Sequence, residues 1–168
     1  EDDHLEHRSQ PAVAVGDPRE GGVVESARHR RGLLEGLRAE GRLRLAGRPL
    51  QFLDTPGHAR HHHCIWDQRS RGFFTGDTFG LSYREFDTAR GPWLLPTTTP
   101  VQFEPAALEA SVRRLLSFAP DWMYLTHFGR VGDVQRLGAS FLGQLAELVA
   151  LGRSLRSAPD RHEALKRG

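Results

Sequence analysis

The chain is short of cysteine, of lysine and of long apolar runs, and each shortage excludes a class of protein. Cys64 is the only cysteine in 168 residues, so no disulfide can form within the chain and a disulfide-stapled scaffold is excluded. A single thiol fits a reducing compartment, and a cytoplasmic location is the expectation. No apolar run approaches the roughly 18 residues needed to span a bilayer. Mean hydropathy is −0.50, and no membrane partner is expected. The acidic opening Glu1-Asp2-Asp3-His4 has no apolar segment behind it, so no secretory leader is expected. Lys166 is the only lysine, and the formal charge is +2 from 23 basic and 21 acidic residues. That small excess is scattered along the chain as arginine. No basic run with interleaved aromatics supports a nucleic-acid partner.

What is present suffices for one core. Hydrophobic residues make up 38% of the chain, and the length suits a single domain. The reading assigns residues 1–157 to one domain and 158–168 to a loose polar tail. Ala12-Val-Ala-Val15 is a strand candidate. Asp17-Pro18-Arg19-Glu20 reads as a helix start, with Asp as cap and Pro at the first position, and that helix runs to about Arg38. Arg42 to Leu45 and Leu50 to Leu53 form a hairpin through the Ala46-Gly-Arg-Pro49 turn. His62 to Asp67 is a strand with Cys64 and Trp66 on one face. Gln68 to Gly72 turns it back into Phe73-Phe74-Thr75. Residues 78–103 form a long irregular loop, and its Phe79, Tyr83, Phe86, Trp93 and Leu94 argue for packing or function over solvation. A helix opens at Pro105, with Leu108, Val112, Leu115 and Leu116 at helical spacing. Trp122 to Leu125 is a compact strand. Asp133 caps a last long helix whose buried stripe is Val134, Leu137, Phe141, Leu145 and Leu148.

Three potential metal ligands fall where strands end. Leu50-Gln-Phe-Leu53 leads through Asp54-Thr-Pro-Gly to His58, the Thr75-Gly-Asp-Thr78 segment delivers Asp77, and Leu125-Thr-His-Phe-Gly129 delivers His127. Imidazole nitrogen and carboxylate oxygen suit Zn²⁺, Fe or Mn, and a carboxylate can bridge two cations. A glycine lies beside each ligand (Gly57, Gly76, Gly129), which permits close backbone approach. His61-His62-His63 alternate along a strand, so only His61 and His63 share a face, and these two are expected to line the rim of the site. Cys64 reads as a small core residue and not as a nucleophile. Tyr83 and Arg84 either meet a substrate or pack on the domain.

The three segments resemble the metallo-β-lactamase superfamily, the glyoxalase II-like metallohydrolases, between Arg42 and Ala150. The resemblance implies an α/β (α+β) αββα sandwich, here mostly its C-terminal half. It implies a small-molecule substrate and two metal ions per site, Zn²⁺ first and Fe or Mn next. His58 would ligate one metal, the catalytic Asp77 would bridge both, and His127 would ligate the other. A metal-bound hydroxide would then attack an ester, thioester, lactone or related bond.

The family's earlier His-x-His-x-Asp-His motif has one counterpart, Asp2-Asp-His-Leu-Glu-His7. There His4 and His7 match as ligands, and Asp2 and Glu6 stand as substituted oxygen donors. The alternative is a charged tail that contains two histidines. Few residues precede this motif, so the chain reads as an N-terminally truncated member with one apolar sheet face uncovered, which favours a homodimer. The rival reading is a non-catalytic remnant with an incomplete metal site. A third reading is a nucleic-acid phosphodiesterase of the same superfamily.

Overall fold

The computed structural model describes residues 41–98 and 101–167. The expected strand at Ala12 to Val15, the helix from Asp17 to Arg38 and the Asp2, His4, Glu6 and His7 motif lie outside the described residues. The order is β1 Arg42–Leu45, β2 Arg48–Asp54, β3 His63–Asp67, β4 Gly72–Gly76, α1 Pro105–Ser117, β5 Trp122–Leu125, β6 Arg130–Val131, α2 Val134–Ser154 and α3 Arg161–Arg167. One six-stranded sheet runs β1-β2-β3-β4-β5-β6. The strands pair antiparallel from β1 to β4, parallel between β4 and β5, and antiparallel between β5 and β6. Only the parallel step needs a long crossover, and α1 lies within it. The architecture is thus the mixed α/β arrangement that the sequence implies. Among the described residues no helix is long and apolar enough to cross a membrane.

Local chemistry explains each turn. Ala46 and Gly47 carry φ of 48° and 75°, both in the left-handed region, which is the two-residue hairpin geometry that matches strand twist. Arg48 therefore already belongs to β2. Across β3, Asp67 is buried and accepts from the Arg48 guanidinium in two-pronged fashion, with Nε 3.0 Å from each carboxylate oxygen and Nη2 2.6 Å from Oδ2. The Arg69 amide and the Ser70 hydroxyl also donate to it. This acceptor-rich carboxylate fixes the β3–β4 turn, and the Arg48 bond above all holds its pKa down to about 2.

Alternation sorts the sheet into two faces. Leu53, Cys64, Phe73 and Met123 are fully buried, together with Leu108, Val112 and Leu115 of α1 and Val134, Leu137, Phe141 and Leu145 of α2. On the opposite face Phe52, Ile65, Phe74 and Tyr124 form one row across four strands. Phe74 stacks on Tyr124 at 4.9 Å and is 47% exposed. The long loop packs as its aromatics suggest. Phe79 and Leu94 have no exposed surface, and a 3-10 turn at Arg84–Phe86 sits between them.

Three details differ from the sequence reading. Leu148 is 45% exposed, so the α2 stripe stops at Leu145. Asp133 does occupy the N-cap of α2, but its φ is 49° and its carboxylate pairs with Arg136 instead of capping the helix. The segment after 158 forms the short helix α3, with no buried residue and with Glu163–Lys166 and Asp160–Arg167 pairs on its surface.

Two sets of measurements check this description. The Asp67 carboxyl is ionised more readily in the folded chain than at its ordinary 3.8. Its contribution is complete above pH 4 and disappears as pH falls through about 2. Urea midpoints measured from pH 5 to pH 2 should therefore fall more steeply for the wild type than for Asp67→Asn. Gly57→Ala places a Cβ 2.2 Å from the Leu108 backbone nitrogen at a φ of 130°, so strain and overlap should together cost about 3 kcal/mol or more. Gly143, inside α2, has nothing within 4 Å of its added Cβ. Gly143→Ala should stabilise by about 0.5–1 kcal/mol, and equal urea midpoints for the two alanine variants would contradict the packing.

Candidate metal centre

The loops after β2, β4 and β5 open at one end of the sheet. The first is closed at its neck by the Thr55 amide, which donates to the His62 carbonyl at 2.9 Å. It is tied down to α1, because the Glu104 amide donates to Gly57 O at 2.8 Å and the Ser111 hydroxyl to Pro56 O at 2.7 Å. Gly57 lets that turn lie directly on the α1 backbone at Leu108. The second loop turns at Gly76, with φ of 50°, where an added Cβ would fall 2.4 Å from His62 Nε2. The third is bridged by the Leu125 amide donating to Gly129 O at 3.0 Å. At Gly129 the side-chain space is open, so its φ of 91°, and not a close approach, accounts for glycine there.

These loops bring His58, Asp77 and His127 together. His58 Nε2 is 3.7 Å from Asp77 Oδ2, and His127 Nε2 is 3.5 Å from Asp77 Oδ1. Side-chain exposure rises from 14% at His58 through 30% at Asp77 to 52% at His127. Asp77 Oδ1 is buried and has no hydrogen-bond partner, an unusual condition for a carboxylate oxygen.

Partners fix the tautomer of His58. Its Nδ1 lies 3.4 Å from the Thr97 carbonyl, which can only accept. The Thr97 hydroxyl gives its own proton to the Asp77 carbonyl at 2.7 Å, so it too accepts from Nδ1, at 3.2 Å. Nδ1 therefore carries a proton, and in the neutral ring the unprotonated nitrogen is Nε2, which faces Asp77 Oδ2. Two acceptors facing each other repel unless a cation lies between them. Histidine ligands are commonly oriented by such a bond at the other ring nitrogen. No three His, Cys, Asp or Glu side chains among the described residues surround one metal position. The carboxylate instead divides, with one oxygen towards each imidazole, and that suits a bridge between two cations better than a tripod around one. The residues present therefore fit a metal at Asp77.

Behind these three side chains lies a polar layer built on half-buried His62 and buried Thr55, Thr78 and Cys64. His62 Nε2 accepts from the Asp77 amide at 3.2 Å, and its Nδ1 meets the hydroxyls of Thr78 at 2.9 Å and Thr55 at 3.3 Å. Its ring stands edge-on to that of His58, with centroids 5.8 Å apart. Burial, and next the neighbouring His58, lower the pKa of His62. Cys64 donates to the Thr75 carbonyl at 3.3 Å and accepts from Thr55 at 3.3 Å. Burial pushes its thiol up to about 11, so it is the inert core residue expected.

The rim assignment for His61 and His63 gives way to this arrangement. It is His62 that faces inward, while His63 Nδ1 turns to the His61 carbonyl at 3.0 Å. The signal was present, since His62 is two residues before Cys64 and the period of a strand puts both on one face. Thr97 was visible only as part of a threonine run. Tyr83 packs on Phe128 at 4.3 Å, beside His127, and Arg84 pairs with Asp87 at 3.3 Å.

Comparison with known proteins bears on the same residues. No curated protein matches the chain. An archaeal metallo-beta-lactamase superfamily protein from Sulfolobus tokodaii is similar in structure, with 25% identity and a TM-score of 0.51 over 66% of this chain and 37% of that one. A metallo-beta-lactamase family protein from Thermus thermophilus shares the fold at 24% identity and a TM-score of 0.53, over 70% of this chain and 37% of that one. The chain thus spans little more than a third of the length of either relative. The sequence model described as "Metallo-beta-lactamase superfamily" matches residues 6–127, most of the chain, and includes His58, Asp77 and His127. This protein belongs to the metallo-beta-lactamase superfamily.

Proposed function

We propose that the chain carries the centre of a metal-dependent hydrolase acting on an ester, thioester, lactone or related bond of a small molecule. One observation supports this most. Asp77 Oδ1 is buried without a hydrogen-bond partner and lies 3.5 Å from His127 Nε2, while Oδ2 of the same carboxylate lies 3.7 Å from His58 Nε2. An imidazolium at His58 would satisfy part of the same geometry as an ion pair, and metal analysis separates the two.

In this reading His58 and His127 each hold one of two Zn²⁺ ions, with Fe or Mn as alternatives, and Asp77 is shared between them. His4 and His7, with Glu6 and Asp2, are proposed to complete the set. When bound, the metal polarises the scissile group and activates water. The protein's own part is orientation. Thr97 holds the His58 ring and the Asp77 carbonyl through one hydroxyl. Phe128 and Tyr83 give the more exposed His127 side an apolar wall, against which the non-reacting part of a substrate can lie. A second reading is a non-catalytic form of the fold with an incomplete metal site.

Purified chain should contain zinc, iron or manganese, and the Asp77→Ala plus His127→Ala double variant should lose it. Full retention of metal in that variant would sink the assignment. Hydrolysis of a thioester or a generic ester that disappears with chelator supports the enzyme, whereas a metal-loaded chain with no turnover selects the second reading. The proposed macromolecular partner is a second copy of the chain seated on the Phe52, Ile65, Phe74 and Tyr124 row. Phe74→Glu should lower the dimer fraction in sedimentation velocity, and a wild type that stays monomeric at all concentrations removes this partner.

A further inference from the structure

We infer that His62 is a positioning residue that locks the backbone of Asp77 through one fixed tautomer. The argument starts from donor and acceptor roles. A backbone amide can only donate, so the 3.2 Å contact between the Asp77 amide and His62 Nε2 requires a lone pair on Nε2. The proton of the neutral ring then sits on Nδ1, where the Thr78 hydroxyl accepts it at 2.9 Å. The neighbouring Thr55 hydroxyl is left to donate to Cys64 Sγ. His62 is half-buried, but Thr55, Thr75, Thr78 and Cys64, which face it, have no exposed surface, and these donors and acceptors are all satisfied in one orientation of the ring.

The bond reaches the site by a short path. His62 holds the amide of the residue whose carboxylate faces both His58 and His127, and Thr97 holds the carbonyl of that same residue at 2.7 Å. The peptide units on either side of Asp77 are thus pinned from opposite ends. Gly76 makes the approach possible, because a side chain there would occupy the place of Nε2. His62 also stands edge-on to the His58 ring, so one half-buried imidazole contacts two of the three converging groups. It touches no reacting atom in this arrangement, and its role is exerted through Asp77.

The consequence for metal affinity rests on the hydrolase reading, while the lock itself is tested in metal-free protein. Three variants separate position from bulk. In His62→Gln the amide oxygen reaches the place of Nε2 and can accept from Asp77. In His62→Asn it reaches only the place of Nδ1, and His62→Leu offers no acceptor. The wild-type ¹⁵N spectrum should show the Nδ1–H tautomer, and the Asp77 amide should exchange slowly with solvent in the wild type and in His62→Gln. It should exchange fast in His62→Asn and His62→Leu. Titration with Zn²⁺ alone should show a Kd raised about ten- to hundred-fold in His62→Asn and His62→Leu, and changed by less than about threefold in His62→Gln. Circular dichroism identifies the variants that fold, and where His62→Leu does not, the Gln and Asn pair decides. A proton on Nε2, or equal Asp77 exchange in wild type and His62→Asn, overturns the inference. A wild type that takes up none of Zn²⁺, Fe²⁺ and Mn²⁺ refutes the hydrolase reading, and the exchange comparison still decides the role of His62.

Discussion

The half-buried imidazole of His62 has two nitrogens to satisfy, and most of what is ordered around this site follows from how it does so. One nitrogen takes the amide of Asp77, and the other takes the hydroxyls of Thr78 and Thr55. Those two threonines come from the loops after β4 and β2, so the ring couples the second loop to the first. Left unpaired in so dry a layer, each nitrogen would cost about 1–3 kcal/mol. The network is therefore either complete or strongly unfavourable, and that condition gives the loops a single arrangement. Cys64 belongs to the same layer. Its thiol fills space and closes the set of bonds, and its raised pKa follows from the dryness that makes the layer rigid.

Two further elements hold the ligand loops from outside the sheet. Helix α1 comes so close to the His58 turn that only glycine fits at position 57, and Glu104 and Ser111 bond the turn's carbonyls. The long loop reaches back from the other side. Buried Phe79 and Leu94 anchor it, and the Leu81–Leu95 bridge closes it. Thr97 is thereby placed between His58 and Asp77. An irregular segment of this length needs such anchors to hold a side chain in place, and here its hydrophobic residues serve a polar end.

Much of the fold could be read from the chain because its signals are local. The hairpin turn at Ala46-Gly47, read as four residues where the structure has two, the alternation around Cys64, Pro105 at a helix start and the heptad-like spacing of Val134, Leu137, Phe141 and Leu145 each depend on near neighbours in sequence. The convergence of His58, Asp77 and His127 could be read for a related reason, since each sits on its own strand-to-loop junction with a recognisable turn. The supporting residues were harder. His62 lay inside a run of three histidines, and choosing among them required extending to His62 the alternation that puts Cys64 and Trp66 on one face. Thr97 lies 39 residues from His58, and no periodic pattern connects them. Leu148 follows the helical spacing of its stripe yet is exposed, because a pattern reports which face a residue is on and not where the neighbouring element ends. The side chain of Asp133 was drawn off by Arg136, three residues on, a competition that cap statistics alone do not resolve.

The exposure gradient across the trio gives the site a direction. His58 lies against α1 and Thr97 and is almost covered, Asp77 is intermediate, and His127 is half in solvent. A group held by more fixed bonds loses less entropy on ligation, so under the proposed reading the His58 side is the preorganised end and the His127 side the adaptable one. The rings continue this trend. From Phe128, Tyr83 follows at 4.3 Å, then Phe86 at 5.9 Å and Trp93 at 5.8 Å, each in the tilted or edge-on range that aromatic pairs prefer. Phe86, Trp93 and Phe128 all keep exposed surface, so this apolar band is wet where the His58 side is dry. A polar centre that is rigid on one flank and bordered by exposed aromatics on the other is suited to hold the reacting group of a substrate from behind and the rest of it from the open side.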